Sequence, residues 1–428
     1  MMTGDRTDYP VLVDYLFGLK PRGTKLGIDR MRPFAAALGN PERGLPCIHI
    51  AGTNGKGSVA AMVESILRTA GWRVGLFTSP HLVHLGERVQ VNRQPLSEGQ
   101  IVKYIRRLDA VADQVARDGN ADDRPSFFEF MVAMALLEFR RSHCDIAVME
   151  VGLGGEFDAT NIVGPEVSVV TSIGLDHCEW LGETIPDIAR AKAGIIKQFR
   201  PVVIGRLPPD AEQVIRQVAA TNSSQVLSVR ETFGDDIGNH PVTNLEGKYQ
   251  RLNAATASLA ASTLSASWRI TADAIAEGLK IVSWAGRWQN TIVGGRRVIL
   301  DAAHNADGAV VLAENLKSLV EETGRSPVVI VGVLGVERAG ALMAVICRYA
   351  KEIRTVVPDQ PRAVSHEILE SFVTPDFTGG CIRSTVTQLF PGGDQCDAGT
   401  SDDIVVVTGS IYLLGEVMGR IQQSNSRG

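Results

Sequence analysis

Seven residues, Gly52-Thr53-Asn54-Gly55-Lys56-Gly57-Ser58, carry the clearest chemistry in the chain. An apolar run, Cys47–Ala51, leads into them, and a helical pattern, VAAMVESILRTA, follows. Three glycines in a tight turn let successive backbone N–H groups converge on one anion. The N-terminus of the helix that follows adds partial positive charge. Lys56 can reach a β- or γ-phosphate, and Ser58 can ligate Mg2+. The spacing differs from the common G-x-x-x-x-G-K-[ST], because Gly57 separates the lysine from the hydroxyl. A glycine turn before a helix with a surface lysine is the plainer reading of the same residues. The order of strand, loop, lysine, hydroxyl and helix favours nucleotide phosphate binding.

A second set of polar residues sits at predicted strand ends. Ser79 follows the run Arg73–Phe77, Glu150 ends Ile146–Glu150, and His177 lies just past Val167–Ile173. A doubly wound sheet presents its ligand crevice at such C-terminal ends. A hydroxyl and a carboxylate suit Mg2+, whereas imidazole alone does not point to magnesium. Taken one at a time, Ser79 is a turn hydroxyl before a proline, Glu150 a salt-bridged strand end and His177 a loop cap.

Short β-branched runs alternate with amphipathic stretches along the whole chain. Further strands are expected at Val202–Ile204, Val298–Asp301, Val328–Val333, Ile353–Val357 and Ile404–Thr408. Helices are expected at Gly57–Ala70, Glu98–Arg117, Phe127–Arg141, Ile185–Ile196, Leu252–Ala266, Asp307–Val320 and Ala339–Ala350. Continuous apolar runs without alternation indicate strands buried on both faces, hence a parallel α/β sheet. Thr221–Thr243 is rich in Asn, Ser, Gly and Asp and reads as loops or small antiparallel strands. The glycines of Trp284–Arg296 precede a fresh strand–helix series. The expected division is therefore a P-loop domain over 1–285, a hinge over 286–296 and a smaller Rossmann-like α/β domain over 297–428.

Composition narrows the function classes. The 428 residues are 44% apolar and 21% charged, as in a folded protein, and the net charge of −5 gives no basic footprint for nucleic acid. No apolar run is long enough for a membrane span, and MMTGDRTDYP lacks a leader pattern. The six cysteines have no C-x-x-C spacing, which suggests free thiols in a reduced, cytoplasmic protein.

AGTNGKGS, TSPHL, MEVGLGGEFDATN, SIGLDHCEWLG and AKAGIIK together resemble the folylpolyglutamate synthase/dihydrofolate synthase branch of the Mur-type ATP-dependent amide ligases. LEGKYQRLNAATA, AGRWQ, DAAHN and TGSIYLLGEV extend the resemblance over nearly the whole chain in one order. It implies an ATP-dependent acid–amino-acid ligase that joins glutamate to dihydropteroate or a reduced folate through an acyl phosphate, with domains that close on each other. ATP and Mg2+ are the implied cofactors and a monomer is the expected state. The resemblance also implies a metal held by Ser79, Glu150 and His177, and a carbamylated Lys192 helping to hold a second ion. Asn253 is implied at adenine, Arg287 and Asp301 at the nucleotide, and His304 and Ser410 at the incoming amino acid. Asp29, Arg30 and Phe128 lie in segments that resemble the pteroate-contacting ones, GIDR and SFFEF. Without the resemblance, Lys192 reads as a solvated charge, Asn253 and Ser410 as helix caps, Arg287 as a surface arginine and Phe128 as part of a helix core.

Four places depart from the family pattern. Ala191 stands where glutamate is usual, Ala285 where proline is usual and Arg93 where glycine is common. Val331–Gly340 replaces a stretch that usually carries an acidic–lysine–acidic run. That leaves open a relative acting on a non-folate carboxylate. A P-loop ATPase switch or a pterin-sensing binding protein are the alternatives from other classes.

Overall fold

The computed structural model describes residues 8–20, 27–119, 124–392 and 394–422. Most of the N-terminal stretch MMTGDRTDYP lies outside them. The described residues form two compact units. The first comprises those up to His81, Leu85–Asn244 and Arg251–Val282; the second comprises Leu82–His84, Leu245–Gln250 and those from Ser283 onward.

The first unit is built on eight strands: β1 (Cys47–Ala51), β2 (Val74–Phe77), β3 (Val89–Val91), β4 (Gln94–Pro95), β5 (Ile146–Glu150), β6 (Val167–Val170), β7 (Val202–Ile204) and β8 (Val226–Ser228). Their order is β4-β3-β2-β5-β1-β6-β7-β8. The β2–β3 and β3–β4 pairings are antiparallel, and the other pairings are parallel. β1 and β5 are buried throughout, so they show no polar–apolar alternation; the polar residues in them, His49 and Glu150, are themselves buried. Helices Gly27–Ala37, Glu98–Asp118 and Phe127–Arg141 cover one face, with Met31, Phe34, Ile105, Phe130 and Phe139 in the core between. The last two begin at capping boxes, Ser97 with Gln100 and Ser126 with Glu129.

The second unit has β9 (Gln289–Val293), β10 (Arg296–Leu300), β11 (Val328–Val331), β12 (Glu352–Thr355), β13 (Gly380–Arg383) and β14 (Val405–Thr408) in the order β13-β12-β11-β14-β10-β9. Only the β9–β10 pairing is antiparallel. Val329, Val331, Leu312 and Leu342 centre one core, and Val298, Val405 and Leu414 the other.

The two-domain α/β architecture is as expected, but several local readings need correction. The expected strand Val167–Ile173 stops at Val170: Thr171 N–H still donates to Ala51 O of β1, but Ser172 and Gly174 bond the phosphate loop instead of a neighbouring strand. Thr221–Thr243 contains β8, which pairs parallel to β7, so no antiparallel strands form there. Most of the expected hinge 286–296 is ordered sheet: β9 pairs residue by residue with β10 around Gly294 and Gly295, both at positive φ. The helix expected from Leu252 starts at Lys248, which places Asn253 inside it rather than at its cap. Among the described residues no helix is long and apolar enough to cross a membrane.

Candidate functional site

β1 delivers the chain into the loop Gly52–Gly55, and the helix Lys56–Thr69 starts at once. Gly55 caps that helix at φ +83, a conformation that side-chain-bearing residues disfavour. A Cβ there would stand 2.6 Å from Asn253 Oδ1, so Asn253 lies against the loop. At Gly52 a Cβ would stand 1.9 Å from Thr171 Oγ1. The segment after β6 therefore presses on the loop from the neighbouring strand. Thr53 N–H donates to Ser172 O at 2.8 Å and Asn54 N–H to Ser172 Oγ at 2.9 Å. Thr171 Oγ1 donates to Asn54 O at 2.6 Å. These bonds turn the Thr53 and Asn54 N–H groups toward β6, so the expected convergence of the whole loop on one anion is narrowed. The cradle falls to the first helical turn, Lys56 to Ser58, ahead of the bond from Val59 N–H to Gly55 O.

Two ammonium groups meet on one carbonyl of this loop. Lys56 Nζ donates to Gly52 O at 2.8 Å and to Thr53 O at 3.1 Å. Lys192 Nζ donates to the same Gly52 O at 2.9 Å. Lys192, on the helix Ile185–Ala193, is 5% exposed, so the solvated-charge reading fails. Burial, and then the Lys56 charge, push its pKa down to about 7.

β2 and β5 are parallel neighbours, which brings Ser79 and Glu150 together at their C-terminal ends. Ser79 N–H donates to Glu150 Oε2 at 2.9 Å, and Glu150 is buried. A serine hydroxyl and a carboxylate are hard oxygen donors that fit Mg2+. His177 lies on the next loop with φ +53, before the short helix Cys178–Leu181. Its Nδ1 is 3.9 Å from Glu179 Oε1, too long for a hydrogen bond. Among the described residues no group of three or more His, Cys, Asp or Glu side chains is gathered as a metal site.

The loop after β5 is held from behind. Asp158 Oδ2 accepts from Gly152 N–H at 3.1 Å and Leu153 N–H at 3.0 Å. Thr160 Oγ1 donates to Asp158 Oδ1 at 2.5 Å and so accepts from His49 Nε2 at 2.8 Å. Burial drives the His49 pKa down to about 3, so this imidazole is neutral.

The three residues expected at a pterin differ in setting. Phe128 packs on Gly152, where a Cβ would meet the ring at 2.4 Å, and its centroid is 5.9 Å from that of Phe77. Asp29 is exposed. Arg30 is buried and donates to Glu129 Oε1 at 3.0 Å, tying Gly27–Ala37 to Phe127–Arg141. Its guanidinium is thus committed to an internal ion pair.

In the second unit Asp301 follows β10 and is 4% exposed. Burial raises its pKa to about 6, against the opposing pull of Arg287 and the Trp288 N–H, which donates to Oδ1 at 3.1 Å. Burial and the Asp301 charge also raise the Tyr249 phenol. The His304 ring Nδ1 is 2.9 Å from Ala302 O; a carbonyl only accepts, so Nδ1 carries the hydrogen. Asn305 caps the helix Ala306–Thr323. Ser410 is buried and its Oγ accepts from Tyr412 N–H at 3.1 Å, so the helix-cap reading of Ser410 holds. Sequence reasoning passed over Thr171, Ser172, Asp158 and Tyr249. Ser172, Asp158 and Tyr249 lie within motifs that were recognised but given no role, whereas Thr171 stands just before SIGLDHCEWLG and carried no signal of its own.

Residues 101–265 match the Mur ligase middle domain. The dihydrofolate synthase/folylpolyglutamate synthase of Bacillus subtilis is 33% identical over 442 residues, covering 97% of this chain and 100% of that protein. Among solved structures, the folylpolyglutamate synthase of Thermotoga maritima superposes with a TM-score of 0.82 at 30% identity, covering 97% of both chains. Escherichia coli FolC in complex with DHPP and ADP gives 0.82 at 29% identity, covering 98% of this chain and 99% of that one. The chain belongs to the folylpolyglutamate synthase/dihydrofolate synthase family.

Proposed function

From this membership and the geometry at the end of β1, we propose that the chain is an ATP-dependent ligase that adds L-glutamate to the carboxylate of dihydropteroate, a reduced folate, or both. The observation that carries the reading is the placement of Lys56 and Lys192 on one loop carbonyl at a helix N-terminus. The Lys56 ammonium and the positive end of a helix are gathered where the charge of a triphosphate would need neutralising, with the Lys192 amine beside them.

A carboxylate does not condense with an amine at neutral pH, because oxide would have to leave. Transfer of the γ-phosphoryl group to the acid oxygen releases ADP and gives an acyl phosphate whose leaving group is phosphate. Lys56 and the N–H groups of the first helical turn stabilise the charge that develops during transfer. The α-amine of glutamate then attacks the acyl carbon. The C–N bond forms, the C–O bond to phosphate breaks, and the amine loses a proton. His304 is the proposed acceptor: with Nδ1 protonated toward Ala302 O, the neutral ring keeps its lone pair on Nε2.

Ser79, Glu150 and His177 are the residues proposed to hold Mg2+, which would screen phosphate charge when bound. Lys192 is the proposed carbamylation site. Its neutral Nζ adds to CO2, forming an N–C bond and releasing a proton, and the resulting carboxylate would help hold a second ion. A pKa of about 7 supports this by leaving much of the amine neutral at physiological pH. Asn253, Arg287 and Asp301 are assigned to the nucleotide, and Ser410 to glutamate. Asp29 and Phe128 are assigned to the pterin, with Arg30 acting through Glu129 on the helix that carries Phe128.

The test is incubation with ATP, Mg2+ and glutamate, together with dihydropteroate or tetrahydrofolate, followed by mass spectrometry. One added glutamyl unit is expected. Phosphate release with no mass gain would defeat the ligase reading. Transfer of label from [13C]bicarbonate to Lys192, read by NMR, tests the carbamate separately.

A further inference from the structure

The phosphate loop occupies the C-terminal end of the first unit's parallel strands. At their opposite end lies a groove of about 860 Å3. It is lined by Pro46 just before β1, Glu166 just before β6 and Arg200 just before β7. Four cations line it, Arg32, Arg43, Lys197 and Arg200, against two carboxylates, Glu42 and Glu166. This excess is local, since the whole chain carries a net charge of −5.

Both carboxylates already have partners. Arg200 Nη1 is 2.8 Å from Glu166 Oε2, and Arg43 Nε is 3.8 Å from Glu42 Oε1. Arg32 and Lys197 remain. Arg32 is exposed and forms no hydrogen bond or ion pair among the described residues. Lys197 Nζ donates to Asn161 O at 3.2 Å and Asn161 Oδ1 at 2.7 Å, both neutral oxygens. Burial, and then the Arg32 charge, depress its pKa, and no carboxylate offsets them. Two like charges thus face one partly enclosed space, and an anion placed there would relieve both. Ala35, Ala36, Ile162 and Val163 give the same groove an apolar wall.

We infer that this groove binds a small organic anion, with a phosphate or carboxylate head on Arg32 and Lys197 and an apolar body against Ala36 and Ile162. The site is separate from the phosphate loop and stands independently of the ligase reading. An open, amphipathic groove of this size suits a ligand with one charged end better than a bare inorganic ion.

Calorimetric titration of the full chain with phenyl phosphate, benzoate and inorganic phosphate tests it. In the Lys56→Ala chain one saturable site should remain, with phenyl phosphate or benzoate bound more tightly than inorganic phosphate. Arg32→Glu and Lys197→Gln should each weaken that site by about tenfold or more. Ala36→Trp should abolish it by filling the wall. Arg32 is exposed, so Arg32→Glu keeps the test open if Lys197→Gln fails to fold. Absence of a saturable site would overturn the inference. So would the opposite pattern, with binding lost in Lys56→Ala and kept in Arg32→Glu, or equal affinity for all three probes.

Discussion

At the end of β1 a buried lysine has lost much of its hold on a proton; at the end of β10 a buried aspartic acid has gained one. Burial leads in both cases, and the two groups arrive from opposite sides at about 7 for Lys192 and about 6 for Asp301. Their neighbours differ. Lys192 faces a second cation, Lys56, which adds to the effect of burial. Asp301 faces Arg287, which opposes it. The β1 end also relies on backbone, with glycines that let a strand and a helix close on the loop, whereas the β10 end relies on a side chain, Arg287, and on the Trp288 and Ala303 N–H groups. Neither charge is there for stability. Each costs folding free energy in its charged form, which is the usual mark of a group kept for chemistry.

The largest test of the contrast is Lys56→Ala. Loss of one preorganised cation at a transferring phosphoryl group should lower kcat/KM for ligation by about 10^3-fold. The same change removes a neighbour that depresses Lys192, so the Lys192 pKa should rise. Near-normal ligation by this variant would sever the link between the loop and catalysis.

Lys192→Met addresses the burial cost directly. The folded pKa is about 7 and the usual value is 10.5, so between them the unfolded chain binds more protons than the folded one. Stability of the native protein should therefore rise with pH across that window, by up to about 1.4 kcal/mol per pH unit from this group. Lys192→Met should remove that rise and be more stable than wild type below pH 7 in CO2-free buffer. Urea midpoints at several pH values measure it; parallel curves for the two proteins would contradict the assigned burial cost.

Gly55→Ala probes the backbone side. Gly39 has nearly the same φ, +84 against +83, but a Cβ there meets nothing within 4 Å. Gly39→Ala should cost only the left-handed strain, about 1–2 kcal/mol. Gly55→Ala should cost more, because Asn253 Oδ1 must also move, and it should raise the KM for ATP. Equal costs at the two positions would show that the Asn253 contact is slack.

Asp301→Asn is the mirror of the lysine test. The folded pKa is raised to about 6 from 3.8, so the folded state holds the proton longer. The native stability contribution falls as pH rises from 3.8 to 6, and the cost is fully present above 6. Asn, which carries no charge and can still accept from Trp288 N–H, should stabilise the protein at pH 8 by about 1–3 kcal/mol while ligation falls. Destabilisation at that pH would mean that Arg287 outweighs burial.

The β1 end was far more legible in the sequence than the network behind it. AGTNGKGS announces a loop because glycine, lysine and serine are local requirements written in consecutive residues. The pairing of Ser79 with Glu150 depends on β2 and β5 being neighbours, although β3, β4 and two long helices separate them in sequence. The strands β4, β9 and β13 escaped notice because each is short and largely polar or exposed, and β3, though mostly buried, is only three residues long. The departure at Arg93 became intelligible only in three dimensions. Asn92 and Arg93 take φ of 47° and 67° in the turn between β3 and β4, the left-handed region that glycine enters at least cost. The burial of Lys192 could not be read from ARAKAGIIK, since a helix pattern shows which residues are apolar but not which polar ones the fold encloses.

Ser172→Ala is the finest probe of how the β1 end is held. Its hydroxyl accepts from Asn54 N–H at 2.9 Å and donates to Asn54 O at 3.0 Å, so one side chain satisfies both backbone groups of a single loop residue. Asn54 O keeps the Thr171 hydroxyl at 2.6 Å, and Thr53 N–H keeps the Ser172 carbonyl at 2.8 Å. The change removes the Ser172 hydroxyl from the Asn54 N–H, in a part-buried place that water can reach. The expected cost is therefore about 1 kcal/mol in stability, the low end for a lost partner of a backbone donor. The loop, no longer turned as firmly toward β6, should show a KM for ATP raised with kcat little changed. A kcat drop as large as that of Lys56→Ala would instead place Ser172 among the groups that touch the transferring phosphate, and would shift the boundary of the site from β1 to β6.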